Sequence, residues 1–446
     1  MLWGPVDTGL PFISQDTLGQ TLQEYPPYLK KNNNLNERTP MNYLGIDVSK
    51  ATSRYVLLDN DGEKAAKPFT LDNNQQSFMQ LLERFKELTL QPGNLIVGIE
   101  ATGIWWENLY CFLTEQKFKV IVLNPHQTNK FREALRLKAK TDDIDAYVIA
   151  GLLRSGEYAA SYIPEEIIQV LREIVKLRHQ LVTNRQSFER QACALLGLLF
   201  PEYEKTAIKN PFAIASLAIL KAYPTAKHLA ETKPKNIEKI VRRIQGNNFN
   251  IAEIQALIET AKNSIYSGRA KDARGMNLVI LLTHVETLRN SISQLDQRIN
   301  NILSPQNSDD ANSFPGANLL TIPGVGPKTL AAILSVVGRD GSTYPDGKSL
   351  IGYIGFFPQI YESGETRRDN IISKRGPNYI RRALYIAAVA CLKHNREFKS
   401  FYDKKISQGK EPKQALICVA KKLAHMCLSM LKSGESYNPA RVFMPA

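Results

Sequence analysis

Met41-Asn-Tyr-Leu-Gly-Ile-Asp47 and its later counterpart Leu95-Ile-Val-Gly-Ile-Glu100 decide how the first third of the chain reads. Each is a short apolar run ending on a carboxylate. Runs this short, bounded by polar residues, fit buried strands better than helices. An acid at the end of such a strand stands clear of the sheet on rigid scaffolding. Working outward, Arg54-Tyr-Val-Leu-Leu58 reads as a strand and Asp59-Asn-Asp-Gly62 as a hairpin turn leading into Lys67-Pro-Phe-Thr-Leu71. Gln76 to Leu88 carries helical spacing through Phe78, Leu81, Leu82 and Phe85. A helix from Trp105 to Gln116, a strand Lys119-Val-Ile-Val-Leu123 and a helix from Thr141 to Leu153 follow. This order predicts an α/β domain over 42–160, a mixed sheet with helices packed on it.

Before it, residues 1–41 (PPY, KNNNLN, ERTP) have turn and linker composition. They are expected to be a disordered arm, or an artefact of the assigned start if translation begins at Met41. After it, 161–315 reads as mainly helical. Ile167 to Leu199 and Asn277 to Ile302 sustain apolar spacings of three and four, which predicts an antiparallel coiled-coil arm. Ser304 to Pro315 is linker composition. Residues 316–446 are expected to form a helical C-terminal domain.

Charge separates these segments. The chain of 446 residues carries a net +14. Residues 43–160 hold 14 basic and 15 acidic side chains, 161–315 hold 20 and 15, and 316–446 hold 20 and 9. An excess of +11 in one terminal segment is what a polyanion-binding surface looks like, because phosphate neutralisation dominates nucleic-acid affinity. Five scattered cysteines with no CxxC spacing argue against a disulfide framework and a zinc site. No stretch approaches about 18 uninterrupted apolar residues, and the N-terminus lacks a signal-peptide pattern, so a reducing compartment and no membrane are expected.

Four acids sit where an active site would place them: Asp47, Glu100, and the pair Asp142 and Asp145 in Thr141-Asp-Asp-Ile-Asp145. On a helix Asp142 and Asp145 share a face, while Asp143 points about 100° away. Simple helix-start electrostatics also accounts for that pair, with Thr141 as cap. Together, four carboxylates in a nearly neutral domain suit two hard divalent cations, Mg²⁺ or Mn²⁺, with open positions for phosphate. Gly45-Ile-Asp47-Val-Ser also resembles the opening strand of actin-like sugar kinases, but no glycine-rich phosphate loop follows.

In the basic segment, Ile322-Pro-Gly324-Val-Gly326-Pro-Lys328 looks like a helix–hairpin–helix element whose glycines let backbone N–H groups approach a phosphate. A tight turn without ligand is the bland alternative. Ser363 follows in a glycine-flanked polar stretch, with Arg367, Arg368, Lys374, Arg375, Arg381 and Arg382 close behind. A serine among arginines is either a phosphate hydrogen-bond donor or a nucleophile toward phosphorus, and only activation allows the second.

Taken in order, Gly45-Ile-Asp47-Val-Ser-Lys50, Gly98-Ile-Glu100-Ala-Thr-Gly103, Asn124-Pro125, Lys140-Thr-Asp142 with Asp145-Ala146, Ile322-Pro-Gly-Val-Gly326, Tyr353-Ile-Gly-Phe-Phe-Pro358, Tyr361-Glu-Ser363-Gly364 and Ser373-Lys-Arg-Gly376 closely resemble the DEDD transposases of the IS-one-ten family of insertion sequences. The resemblance covers 42 to about 440. It implies an RNase H/RuvC-like N-terminal domain, a coiled-coil middle and a C-terminal transposase domain carrying a serine. It places the acidic tetrad on Asp47, Glu100, Asp142 and Asp145 and the catalytic serine on Ser363. It implies further a prokaryotic, cytoplasmic, nucleoid-associated recombinase that is guided by a structured RNA, acts on DNA and assembles as a homo-oligomer, a dimer or tetramer. The extension 1–40 and the stretch 205–275 depart from the pattern. Two alternatives remain at this point. A junction-resolving nuclease would need only the tetrad, and a non-enzymatic DNA- or RNA-binding protein would leave the carboxylates unexplained.

Overall fold

The computed structural model describes residues 41–137, 141–206, 208, 210–244, 249–304, 316–363, 366–374 and 376–442. The arm 1–40, most of the linker after Ser304, Lys140, Gly364 and Arg375 lie outside the described residues. The chain divides into two compact units, one ending at Tyr162 and one running from Ile163.

The first unit is built on a five-stranded sheet. In chain order it contains β1 (Asn42–Val48), β2 (Thr52–Leu58), β3 (Phe69–Asp72), α1 (Gln75–Glu87), β4 (Leu95–Glu100), α2 (Trp106–Glu115), β5 (Lys119–Leu123), α3 (Pro125–Ala134) and α4 (Asp142–Ser155). The sheet order is β3-β2-β1-β4-β5. The β1–β2 and β2–β3 pairs are antiparallel, and β1–β4 and β4–β5 are parallel. Side chains alternate between faces along each strand. Leu44, Ile46, Tyr55, Leu57, Val97 and Ile99 share a core with Leu81 and Phe85 of α1 and Leu109 and Leu113 of α2. The other face carries Gly45 and Gly98, and there α4 lies almost on the sheet backbone. A Cβ on Gly45 would stand 2.0 Å from the Ala146 carbonyl oxygen, and one on Gly98 would stand 2.6 Å from Leu153 Cδ1.

Local signals set the ends of α4. The Thr141 hydroxyl accepts from the Ile144 N–H, and Gly156 closes the helix with φ of 72°. Ala146 and Ala150 cross β1, while Arg154 near the helix end reaches the Asn60 carbonyl in the hairpin beyond β2. Because Leu58 pairs with Tyr43, that hairpin marks the start of β1. So α4 runs against β1 and β4, and its N-terminus meets their C-terminal ends.

The second unit is mostly helical. It contains α5 (Glu166–Leu199), α6 (Ile214–Ala222), α7 (Ala226–Ala230), α8 (Pro234–Val241), α9 (Ile251–Lys262), α10 (Lys271–Ile302), α11 (Pro327–Val337), α12 (Gly347–Ile354), β6 (Pro358–Ser363), β7 (Thr366–Ile372), α13 (Asn378–His394), α14 (Arg396–Ser407) and α15 (Pro412–Ser433). Helices α5 and α10 pair antiparallel: Arg178 meets Asp296, Phe188 stacks on His284 with ring centroids 5.3 Å apart, and Glu189 meets Arg289 at 3.6 Å. One end of the pair shares a core with α6–α9, through Leu196, Leu199, Leu278 and Leu282. At the other end, Ile168, Leu171, Ile174, Ile299 and Leu303 join a core with α11, α13 and α15.

Helix α15 is long and apolar enough to cross a membrane by length and composition. Its Val419, Ala420, Leu423, Ala424 and Cys427 are instead buried against the helices of that core. Two features differ from the sequence expectation. The C-terminal segment is not helical throughout, since β6 and β7 form an antiparallel hairpin with a register shift between Gln359 and Tyr361. The stretch before Gly324 is a 3-10 turn, Ala317–Thr321, so a full helix does not precede the glycine pair.

Candidate active site and nucleic-acid interface

Asp47 is the penultimate residue of β1 and Glu100 the last of β4. The register Ile46↔Ile99 makes them neighbours at one end of two parallel strands. Each follows its glycine by two residues, so both project to the face that α4 covers. The N-terminal turn of α4 adds Asp142, exposed, and Asp145, half-buried. All four acids therefore belong to one edge of the first unit.

Each has surroundings of its own. Glu100 accepts hydrogen bonds from the Thr102 hydroxyl and from Thr128, a hydroxyl buried on α3. Asp145 accepts from Arg132 of α3 at 3.2 Å. Asp143 turns to Arg54, which stands directly across β1–β2 from Asp47. The Arg54 hydrogen bond holds the Asp143 carboxyl below the usual carboxylate range. This agrees with the offset that separates Asp143 from the other two aspartates on the helix. The donor set is all carboxylate oxygen, which is what hard divalent cations take. Among the described residues no three His, Cys, Asp or Glu side chains are grouped closely enough to hold a metal ion as they stand. Asp145 and Glu100 are occupied by Arg132 and the two threonines.

In the second unit, Ser363 ends β6 and pairs with Thr366 across the hairpin, while Arg367 and Arg368 of β7 lie opposite Glu362 and Tyr361. The serine of the glycine-flanked polar stretch thus stands at the tip of a strand pair. Lys374 is exposed and holds a left-handed backbone, φ 54°. Arg381 donates to the carbonyls of Ile354 at 2.8 Å and Gly376 at 3.0 Å, tying the end of α12 to the turn before α13. Gly324, with φ of 105°, is packed so tightly that a Cβ would lie 2.6 Å from the Cys391 backbone nitrogen. Its smallness is explained by packing on α13.

Gly326, Lys328 and Arg382 do come together. Gly326 caps α11 and faces open space, and Lys328 sits in the first turn. With Arg382 they line a cavity of about 410 Å³ between α5, α11 and α13. Arg178, His179 and Tyr379 line it too, and sequence reasoning had not singled them out. The signal for Arg178 and His179 was the basic and polar residues interleaved with the apolar stripe of α5, whereas Tyr379 comes from the first turn of α13. Asp296 of α10 takes Lys328 at 2.8 Å and Arg178 through two nitrogens. Burial opposes its ionisation, yet the hydrogen bonds from Arg178 and Lys328 hold it below the ordinary carboxylate range. Burial, then Arg382 and Arg178, push His179 below the ordinary imidazole value.

Comparison with known proteins gives two family matches. Residues 44–201 match an IS110-type DEDD model described as "Transposase", and 316–403 match the "Transposase IS116/IS110/IS902 family". Together they span more than half of the chain. The pilin gene-inverting protein of Moraxella lacunata is 24% identical over 398 residues, 89% of this chain and 97% of that protein. An insertion element IS110 uncharacterized 43.6 kDa protein of Streptomyces coelicolor is 24% identical over 418 residues, 91% of this chain and 98% of its own length. The mini-circle putative transposase for IS117 of the same organism is 22% identical over 417 residues, 90% and 97%. With the strand-end acids and the C-terminal serine segment falling inside the two matched regions, the chain belongs to the IS110/IS116 family of DEDD transposases.

Proposed function

We propose that this transposase is a divalent-metal-dependent, RNA-guided DNA recombinase with Ser363 as its nucleophile. The observation that carries the metal part is the meeting of two strand ends and one helix start at a single edge, bearing Asp47, Glu100, Asp142 and Asp145. The strand order β3-β2-β1-β4-β5, with β1 central, supports an RNase H/RuvC-like reading of the first unit. The four carboxylates would hold Mg²⁺ or Mn²⁺, which supplies charge stabilisation at phosphate oxygens when bound.

The chain's own residues do the rest. The helix dipole at the start of α4 eases the crowding of like charges there. Arg132 keeps Asp145 paired until a cation competes for it, while Arg54 holds Asp143 aside. The Ser363 hydroxyl attacks phosphorus: an Oγ–P bond forms, the bridging P–O bond of the DNA strand breaks, and the serine proton ends on the departing oxygen or on solvent. Reversal, with a new DNA hydroxyl attacking the phosphoserine, rejoins the strand and restores the serine. The "gene-inverting" name of the Moraxella relative fits cutting that is followed by rejoining. The basic segment 316–446 provides for DNA and a structured guide RNA, and the protein acts as a homo-oligomer.

The test traps the protein on a DNA substrate with its co-purifying RNA. Asp47→Asn should lower cleavage by about three orders of magnitude, the scale of one lost transition-state contact, with an unchanged melting curve. Ser363→Ala should bind DNA yet yield no covalent adduct by mass spectrometry. Rejoining by Ser363→Ala would leave a simple two-metal nuclease as the better reading, and cleavage by Asp47→Asn in EDTA would remove the metal.

A further inference from the structure

The proposed chemistry leaves unused the cavity between α5, α11 and α13. Its walls are of two kinds. Val175, Val182, Ala332 and Ile386 make apolar sides, and Arg178, Lys328 and Arg382 bring three cations to its rim. Asp296 serves the first two. No carboxylate lies in ion-pair range of Arg382 among the described residues. Its guanidinium reaches the Gln186 side-chain oxygen at 3.4 Å. A ring pair, His179 and Tyr379, with centroids 6.4 Å apart, completes one side.

A structural salt bridge would need Asp296 and one partner, and would not need a cavity. An anion alone would gain nothing from the hydrocarbon walls, and a hydrocarbon ligand would gain nothing from three cations. An unpaired nucleotide has both parts, a flat base that packs on apolar and aromatic surface and a phosphate that pairs with arginine and lysine. A duplex shows this cavity only phosphate, because its bases are stacked inside. The volume lies in the range of sites that enclose a small molecule. We propose that this cavity takes one unpaired nucleotide of a nucleic-acid strand, its base against the apolar wall and its phosphate at Arg382 and Lys328. The inference rests on the reading of 316–446 as nucleic-acid-binding and is independent of the cleavage chemistry.

Fluorescence anisotropy of the full-length chain, with short labelled oligothymidylate, oligouridylate and a duplex of the same length, tests it without any cleavage readout. Arg382→Ala should weaken single-strand binding about tenfold, within the worth of one stacked and anchored base. Ala383→Met fills the cavity with no change of charge and should weaken single strands to a similar degree, leaving duplex affinity within about twofold. A larger loss for oligouridylate assigns the site to RNA, for oligothymidylate to DNA, and an equal loss to either strand. Where Ala383→Met alters the melting curve, Ile386→Asp is used instead, since that side chain is 55% exposed at the cavity wall. The proposal is overturned if the folded cavity variant binds single strands as the parent does, or if Arg382→Ala weakens duplex and single strand equally.

Discussion

At Gly45 an added methyl group would stand 2.0 Å from the carbonyl oxygen of Ala146 and 2.5 Å from the amide nitrogen of Ala150. Both are backbone atoms of α4, so no side-chain rotation relieves the clash. Gly45→Ala must lift the helix from the sheet, and with it Asp142 and Asp145 from Asp47. The expected cost is at or above the roughly 1–3 kcal/mol of ordinary overpacking, read by urea unfolding, with strand cleavage lost as well. Gly93→Ala, where a Cβ meets nothing within 4 Å, should stay within about 0.5 kcal/mol of the parent. Equal stability of the two variants would show that α4 rests on the sheet less closely than described. The apolar runs ending on Asp47 and Glu100 made the strand-end positions of these acids legible in the sequence, whereas the close approach of α4 to the glycine two residues before each emerges only from the structure. The hydroxyl of Thr128 and the guanidinium of Arg132 were not legible, because both arrive on α3, a helix whose polar sequence carries no apolar stripe. Only Asn124 and Pro125, a capping residue and a first-turn proline, marked it.

At the scale of elements, Asp296 joins three helices: its own α10, α5 through Arg178 and α11 through Lys328. Its folded-state pKa lies below the unfolded value, so its contribution is complete above about pH 4 and is lost as pH falls through the folded value. Asp296→Asn should therefore cost about 1–2 kcal/mol at pH 7, a partly exposed charge-assisted pair being worth that much. The gap to the parent should shrink toward pH 3. Urea unfolding at the two pH values checks this, and a constant gap would trace the loss to something other than charge. The long helices α5 and α10 were readable because apolar spacing persists over many turns. The β6–β7 hairpin was not. A register shift interrupts its alternation, and its arginines read as a surface for phosphate before they read as a strand. The helices α6–α9 are short, and burial of their apolar faces depends on one another and on the ends of α5 and α10, which no local pattern announces.

For the whole molecule, the core that holds α11, α13 and α15 also takes Ile168, Leu171, Ile174 and Val175 from the start of α5 and Ile299 and Leu303 from the end of α10. A fragment of residues 316–446 would leave that core open on one side. A fragment beginning at Ile163 keeps it whole. The longer fragment should melt in one cooperative transition in calorimetry, and the shorter one should show none; a cooperative transition in the shorter would mean the α5 and α10 contacts are dispensable.

The Asp296 junction has a mechanical corollary. Beyond Arg178, helix α5 continues for about 30 Å to Leu199 at 1.5 Å per residue. Rods of that length magnify what happens at their root: a tilt of about 5° there carries the tip through about 3 Å. Lys328 shares its carboxylate with Arg178, so the root from which that length projects is pinned by two cations on one acid.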